Sequence, residues 1–599
     1  MGRSGAGPGG HHVARVFRMH PARTPLEVLP MTYFLPETDP VLTAARGLAL
    51  THPDAIAVHD APLYLTARSP HPGRRVALVS GGGSGHEPLH TGLLGRGGLD
   101  AVCPGQVFAS PHNRQIYEAS LATAKRDGVL LIVKNYTGDV INFQIAAERL
   151  RHDGIPVATV LVDDDLATDI ADSATGRRGT AATVVVEKLL GAAADRGATL
   201  EELAALGSRI VSRSRSLAVA ARAQTSPTTG EPAFDLPAGI LDYGVGIHGE
   251  RGIRTMVRPP VGTLVRQMTD ELLAALPPGP DEVLALVNGL GATTSLELHS
   301  ISTLLVDALG ERGVRTALVV PGTYTSALDM AGFSLTLTRL EEGWTDLWAA
   351  PTDTPLSFPK HVIAVDCGAP SPAPVAAPPL THDRQGSRAV LDRYALIVTQ
   401  VRDNLTKLDQ LVGDGDFGDN LAGGVRRAGR RADETGIEGT TALADVFLNE
   451  VGGTSGPLFG LLFQHLAAVS PADGQPPSPT ALADATGAAL AAIQRVGGAA
   501  PGDCTLVDAL AATADTLASP PPEAAEAPFT CAAEAAVRGA LATASLRARR
   551  GRASYVGDHA LGVPDPGALA VALLYTALAD VYEPSTATRL PAPGHITAH

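Results

Sequence analysis

Hydrophobic positions follow two different rhythms along this chain, and the change falls near residue 370. Ahead of it, short aliphatic or β-branched runs alternate with helical stretches. Arg75 to Ser80, Val129 to Lys134 and Val157 to Val162 are three such runs. Each is followed by Gly, Asp or Asn and then by a helical segment. Runs this short and apolar, bounded by turn residues, predict buried strands in α/β layers. The polar stretch Thr225 to Asp235 interrupts the pattern. A second α/β set then runs from about Ile240 to Leu356, with strand candidates at Leu284–Val287 and Ala317–Val320. The front half, residues 31–366, is therefore predicted as two α/β subdomains with a break near 225–238.

Ala369 to Pro379 reads APSPAPVAAPP, an extended, semi-rigid alanine/proline linker within 367–386. Beyond it strand signals almost vanish. Alanine-rich stretches such as Ala389 to Leu408 and Thr480 to Ile493 carry the helical period. Residues 387–587 are predicted as an all-α domain, a helical barrel or bundle, with a short tail at 588–599. The longest apolar stretch, Ala568 to Ala579, is too short to span a bilayer and predicts a core helix. Residues 1–30 carry Arg3, Arg15, Arg18 and Arg23 without an apolar run, which predicts a disordered extension.

At 599 residues the chain is too long for one core. Its 45% hydrophobic and 18% charged residues are ordinary for a globular protein. A net charge of −15 argues against general binding to nucleic acids or anionic membranes, which use clustered Lys and Arg. It leaves room for a nucleotide held by a local cationic or metal site. Cys103, Cys367, Cys504 and Cys531 form no C-x-x-C pair. Free thiols in a reducing compartment, the cytoplasm, are expected, and no zinc site.

Three front-half segments carry candidate chemistry. The run Arg75–Ser80 empties into Gly81-Gly82-Gly83-Ser84-Gly85-His86, a loop able to expose backbone N–H groups to a ligand. No Gly-Lys-Ser/Thr follows, so it is not a Walker A loop. The run Val129–Val133 ends in Lys134-Asn135-Tyr136-Thr137-Gly138-Asp139. Both segments sit at strand carboxyl ends, where open α/β sheets bind ligands. Asp139 can take a proton from a hydroxyl attacking phosphorus; a surface turn with a helix cap is the plain alternative. The third segment is Gly244-Val245-Gly246-Ile247-His248-Gly249-Glu250. Glycines on both sides predict an exposed, approachable His248 ring, able to add to a small carbonyl.

The back half offers Asp409, Asp414 and Asp416, three carboxylates within eight residues, with glycines to fold the loop. Such a set can converge on a hard cation such as Mg²⁺, and the glutamate an EF-hand needs is missing. Gly452-Gly453-Thr454-Ser455-Gly456-Pro457 offers hydroxyls and amides suited to phosphate. Gly502-Asp503-Cys504-Thr505, Gly551-Arg552-Ala553-Ser554-Tyr555 and Asp565-Pro566-Gly567-Ala568 follow.

The segments GGGSGHEP, CPGQVFASP, VKNYTGDVINF, GRRGT and GVGIHGE, in this order and spacing, resemble the substrate-binding half of dihydroxyacetone kinases. Asn288-Gly289-Leu290-Gly291 and Ser326 to Gly332 fit its second subdomain, and the back-half segments resemble the family's all-helical nucleotide domain. The resemblance covers about residues 35 to 585. It implies that His248 forms a hemiaminal with a ketone carbon. It implies sugar contacts by Gly83, Ser84, Gly85, His86, Lys134 and Asp139, with Asp139 the base and His86 its helper. It implies two Mg²⁺ ions on Asp409, Asp414 and Asp416. Nucleotide contacts fall on Phe417, Gly418, Asp419, Asn420, Thr454, Ser455, Gly497, Thr505, Leu506, Asp565, Pro566 and Gly567.

Four positions depart from the family pattern. Phe417 stands for His or Cys, Asp419 adds negative charge, Cys504 replaces a basic residue and Leu506 a methionine. Together they remove positive or polar character where polyphosphate is expected. Two halves in one chain imply ATP as phosphate donor and, by the family's habit, a homodimer. The expected acceptor is dihydroxyacetone or a close relative such as glyceraldehyde or erythrulose. Two other outcomes stay open: cyclisation of FAD to a cyclic flavin phosphate at the nucleotide site, and a carbonyl-sugar sensor without phosphoryl transfer.

Overall fold

The structure is a computed structural model that describes residues 33–36, 38–169, 176–227, 229–360, 386–413, 415–470, 475–522, 526–550 and 560–598. The expected extension at 1–30, most of the linker, Cys367, Asp414 and the Gly551–Tyr555 segment lie outside the described residues. The chain falls into two compact units, residues 1–371 and 372–599.

The front unit opens with α1 (Pro40–Thr51), β1 (Ile56–Asp60), β2 (Leu63–Ala67), β3 (Ala77–Ser84), β4 (Ala101–Val107), α2 (Asn113–Thr123), β5 (Val129–Lys134), α3 (Thr137–His152), β6 (Val157–Val162), α4 (Ala182–Asp195) and α5 (Leu200–Ser212). Then come β7 (Ser214–Arg222), β8 (Ile240–Tyr243), β9 (Arg254–Val257), α6 (Val261–Ala275), β10 (Glu282–Gly289), α7 (Ser295–Gly310), β11 (Arg315–Gly322), β12 (Ala331–Arg339) and α8 (Trp344–Ala349). The strands form two six-stranded sheets, ordered β1-β2-β4-β3-β5-β6 and β11-β10-β12-β7-β8-β9.

The runs at 75–80, 129–134 and 157–162 fall in the first sheet, where β4, β3, β5 and β6 are parallel, and the candidates at 284–287 and 317–320 fall in β10 and β11 of the second. The second sheet is antiparallel except for the β10–β11 pair. Because β7 already belongs to it, the chain passes between sheets at the end of α5, ahead of the polar stretch at 225–235. Helices α4 and α5 lie between the sheets. One apolar cluster joins Val160 and Leu130 of the first sheet to Leu284 and Val320 of the second through Val185, Leu189 and Leu203. Helix α4 is buried almost all round, as a helix between two layers must be. The other faces are covered by α2 and α3 on the first sheet and by α6 and α7 on the second.

Gly81, Gly82, Gly83 and Ser84 are not a loop but the last four residues of β3, and Gly81 and Gly82 pair with Cys103 and Pro104 of β4. Missing side chains are what allow this. A Cβ on Gly82 would stand 2.5 Å from Lys134 Nζ, and one on Gly81 would collide with the Cys103 carbonyl.

The rear unit is helical: α9 (Gly386–Val412), α10 (Phe417–Thr435), α11 (Gly439–Asn449), α12 (Ser455–Val469), α13 (Pro479–Gly497), α14 (Leu506–Ala518), α15 (Pro528–Ala542) and α16 (Pro566–Tyr582), with two short terminal turns. Each helix packs on the next, and α16 returns to α9. The apolar stretch Ala568 to Ala579 lies in α16 and is buried throughout. Tyr394, Phe447, Phe459 and Phe463 fill the same core. Among the described residues no helix is long and apolar enough to cross a membrane.

Candidate active site

The carboxyl ends of β3 and β5 and the turn after β8 bring His86, Lys134 and His248 together. His86 is fully buried. Its Nδ1–H donates to the Ser326 carbonyl at 2.8 Å, which leaves Nε2 as an acceptor. That Nε2 lies 3.0 Å from His248 Nε2, so the shared proton sits on His248. Burial, helped by the Lys134 and His248 charges, holds His86 well below the ordinary histidine range, and it is neutral at pH 7.

The His248 ring is less open than its glycine neighbours predict. Phe108 and Tyr136 meet it edge-on at centroid distances of 5.6 and 4.5 Å, and 19% of the side chain is exposed. The glycines serve a different end. Gly246 leaves room for Glu250 and Arg178, both of which a Cβ would strike. Glu250 accepts the His248 backbone N–H at 2.8 Å and lies 3.6 Å from its Nδ1. Burial alone would raise the Glu250 carboxyl, but His248 and Arg178 outweigh it and hold the group down to about 2. Arg178 is in turn fixed by Asp165, with Nε to Oδ2 at 2.9 Å. The His248 ring thus has an ionised carboxylate behind it and an acceptor in front.

Lys134 is fully buried under Gly82, with Nζ 3.2 Å from His90 Nε2. Burial lowers its proton affinity, opposed by Asp139, Glu187 and Glu87. Asp139 occupies the first turn of α3, and its buried Oδ1 has no hydrogen-bond partner. A buried acceptor left unpaired costs about 1–3 kcal/mol, so this oxygen is set to receive a donor. Ser84 has spent its proton on the Gly105 carbonyl at 2.7 Å, which leaves its oxygen as an acceptor only. Gly85, at φ 100°, gives its N–H to Glu87 Oε2 at 2.7 Å. Gly83 packs against the backbone of Phe108 and Ala109.

In the rear unit a cavity of about 430 Å³ collects ten of the twelve predicted nucleotide positions: Phe417, Asn420, Thr454, Ser455, Gly497, Thr505, Leu506, Asp565, Pro566 and Gly567. Gly418 and Asp419 are not among its lining residues. One turn of α10 points Gly418 at the Arg402 carbonyl and Thr406, and sends Asp419 toward solvent, 3.5 Å from Arg402. Asp409 and Asp416 also line the cavity, and Asp409 Oδ2 accepts the Phe417 N–H at 3.0 Å. Among the described residues no three His, Cys, Asp or Glu side chains form a metal cluster. Even so, two hard oxygen donors face one space, and the chemistry of that pair fits Mg²⁺. Burial, helped by the nearby Asp508 and Asp409 charges and opposed by the Ala568 N–H, pushes the Asp565 carboxyl up to about 7. A cation would relieve this crowding of acids.

The departures look different in three dimensions. Phe417 packs beside Phe459 at 6.3 Å, making one wall apolar. Cys504 turns inward, with Sγ 3.4 Å from the Thr543 carbonyl, and does not line the cavity. Arg550, which motif matching passed over, does line it. In the front unit the missed residues are Phe108, Tyr136, Arg178, Glu250 and Ser326. All five lie inside segments that carry the resemblance, so the signal was present but unassigned.

Comparison with known proteins agrees with this architecture. Residues 46–356 match the Dak1 domain and residues 411–580 the DAK2 domain. The chain belongs to the dihydroxyacetone kinase family. It is 35% identical over 572 residues to the L-erythrulose 1-kinase of Mycolicibacterium smegmatis, covering 92% of this chain and 99% of that protein. It is 37% identical over 541 residues to the triokinase/FMN cyclase of Rattus norvegicus, covering 86% and 92% respectively. The crystal structure of the dihydroxyacetone kinase from C. freundii in complex with AMP-PNP and Mg²⁺ superposes with a TM-score of 0.58 at 29% identity. That match covers 92% of this chain and 99% of the other.

Proposed function

We propose that this chain transfers the terminal phosphate of ATP to dihydroxyacetone or a close three- or four-carbon carbonyl sugar, glyceraldehyde and erythrulose included. The observation that carries the reading is the His86–His248 contact of 3.0 Å in a site that also holds an unpartnered Asp139 oxygen. As His248 Nε2 adds to the carbonyl carbon, its proton leaves through His86 Nε2. The proton ends on the carbonyl oxygen, which becomes the hydroxyl of a hemiaminal. His86 suits this relay because it is neutral, and its tautomer is fixed by the Ser326 carbonyl. The bond supplies affinity that so small a ligand cannot gain otherwise, and it rejects glycerol, which has no carbonyl. Asp139 then accepts the proton of the terminal hydroxyl as its oxygen attacks phosphorus and ADP departs.

In the rear cavity Asp409 and Asp416, joined by Asp414, would hold Mg²⁺. When bound, it would neutralise phosphate charge. Thr454 and Ser455, at the start of α12, would contact phosphate oxygens, and the Asp565–Gly567 turn the base. The closed succession of helices from α9 to α16 supports a barrel around this site. Assembly as a homodimer belongs to the same proposal.

The test is a coupled assay with ATP and Mg²⁺ over three- and four-carbon ketoses and aldoses, with glycerol as control. Mass spectrometry of the ketose-treated chain accompanies it. Sugar-dependent ADP release and an adduct that disappears in His248→Ala are expected. Turnover of glycerol equal to that of the ketoses, or an adduct that survives His248→Ala, would overturn the assignment. A second reading, conversion of FAD to a cyclic flavin phosphate in the rear cavity, is supported by the rat relative, whose name joins triokinase to FMN cyclase. FAD supplied without sugar tests it.

A further inference from the structure

A line of buried polar groups runs from the centre of the front unit to the floor of the sugar site. Glu187, on α4, is fully buried, and its Oε1 lies 2.6 Å from His90 Nδ1. Ser80 Oγ lies 2.9 Å from the same nitrogen, and its own proton goes to the Ile132 carbonyl, also at 2.9 Å. Both oxygens therefore accept, and His90 must carry its proton on Nδ1. That leaves the Nε2 lone pair for Lys134 Nζ at 3.2 Å. Glu187 Oε2 has no hydrogen-bond partner. Burying a carboxylate half-satisfied between two sheets is expensive, and packing alone gives no reason for it.

We infer that Glu187 is a positioning residue for phosphoryl acceptance: through the His90 tautomer and its own negative charge it keeps Lys134 an ammonium ion aimed at the sugar. This rests on the kinase reading, within which Lys134 holds a sugar oxygen. Three N–H bonds leave Nζ. His90 takes one and thereby orients the others toward Gly82 and the ligand. Were His90 protonated on Nε2 instead, two donors would face each other and Lys134 would lose its only hydrogen-bond acceptor among the described residues. A neutral or displaced amine would no longer hold the sugar oxygen firmly. The charged groups facing Lys134 are Asp139 from α3, Glu187 from α4 and Glu87 from the turn after β3. His90, in contact with Nζ, and the neutral His86 are the titratable rings beside it.

The chain has five lysines, at 125, 134, 188, 360 and 407, so lysine labelled with ¹³C at Cε gives few signals. Lys134→Met assigns the one of interest. In the full chain Glu187→Gln keeps an acceptor for His90 but removes the charge. The Lys134 signal should then titrate roughly one to two pH units lower, as expected for a unit charge lost on the far side of one imidazole ring in a protein interior. The other four lysines should not move. Glu187→Asp, which restores the charge, should recover part of the shift, and it serves as the test should the glutamine variant not fold. In turnover, the sugar KM should rise about tenfold and the alkaline limb of kcat/KM should move down in pH with Lys134, while the ATP KM holds. An unchanged Lys134 titration in both variants would overturn the inference, as would an equal shift of all five lysines. Since the titration needs no turnover, a chain inactive on every sugar would sink the kinase reading and still decide the role of Glu187.

Discussion

Gly82→Ala probes how tightly β3 and Lys134 are fitted together. Gly82 is absent from the positive-φ glycines, so alanine meets no backbone penalty there. Its cost is contact. The new methyl would lie 2.5 Å from Lys134 Nζ, 3.2 Å from Cε and 3.3 Å from His90 Nε2. Nζ must give way, yet the lysine is fully buried and has little space to enter. Overpacking of this kind costs about 1–3 kcal/mol. Losing the His90 contact leaves a buried donor unpaired for about 1–3 kcal/mol more. Alanine recovers about 0.5–1 kcal/mol through the unfolded chain. The net is a destabilisation of about 3 kcal/mol, read from denaturant unfolding. Calorimetry with dihydroxyacetone should show at least about a tenfold loss of affinity, and ATP binding should be untouched. The decisive arm is a double-mutant cycle. Lys134→Met removes the clashing atom, so Gly82→Ala should cost markedly less in that background. Strict additivity, or a Gly82→Ala chain with wild-type sugar affinity, would refute the reasoning.

Asp409→Asn should abolish Mg²⁺-supported ATP turnover while leaving formation of the His248 adduct intact; mass spectrometry and the coupled assay together check this. Phe417→His should raise nucleotide affinity several-fold if the aromatic wall is a loss to the cavity, and an unaltered Kd would mean Arg550 already compensates. Lys188, buried on α4 and donating to the Leu347 and Ala350 carbonyls, is lowered by burial from 10.5 to about 8. Between those pH values the unfolded chain binds the extra proton, so stability relative to Lys188→Met should be flat below pH 8. It should rise by up to roughly 3 kcal/mol toward pH 10.5. A falling difference over that window in chemical denaturation would contradict the buried-amine account.

How far the sequence could be read depended on whether the signal was local. The run containing Val129–Val133 announced β5, because a parallel strand buried on both faces is apolar throughout; Val157–Val162 announced β6 by its β-branched run, although that edge strand leaves Thr159 and Leu161 exposed. The helical texture after residue 387 and the buried α16 were equally plain. Gly81–Ser84 misled because glycine marks turns in most settings. Here it marks a strand whose neighbours come too close for any Cβ. The antiparallel second sheet was hidden for another reason. Alternation gives strands but not their partners, and β7 is paired with β12, more than a hundred residues later. In the site, motif residues were legible one at a time. What encloses His248 was not, since Phe108 and Tyr136 reach it from other segments. The tautomer of His86 depends on a carbonyl at Ser326, 240 residues away. Gly418 and Asp419 fall off the cavity lining because a helix turns 100° at each step, which a run of consecutive motif residues does not show.

Where β3 faces the proposed sugar site it offers main chain and almost no side chain, and neither Gly81 nor Gly82 has space for even a methyl group. Natural drift or laboratory evolution therefore has little to vary along that edge. A change of acceptor has to come from the aromatic walls at Phe108 and Tyr136 or from Leu328 beside Gly85. Trimming those walls is the route to longer carbon chains, with the glycine edge kept as a constant frame.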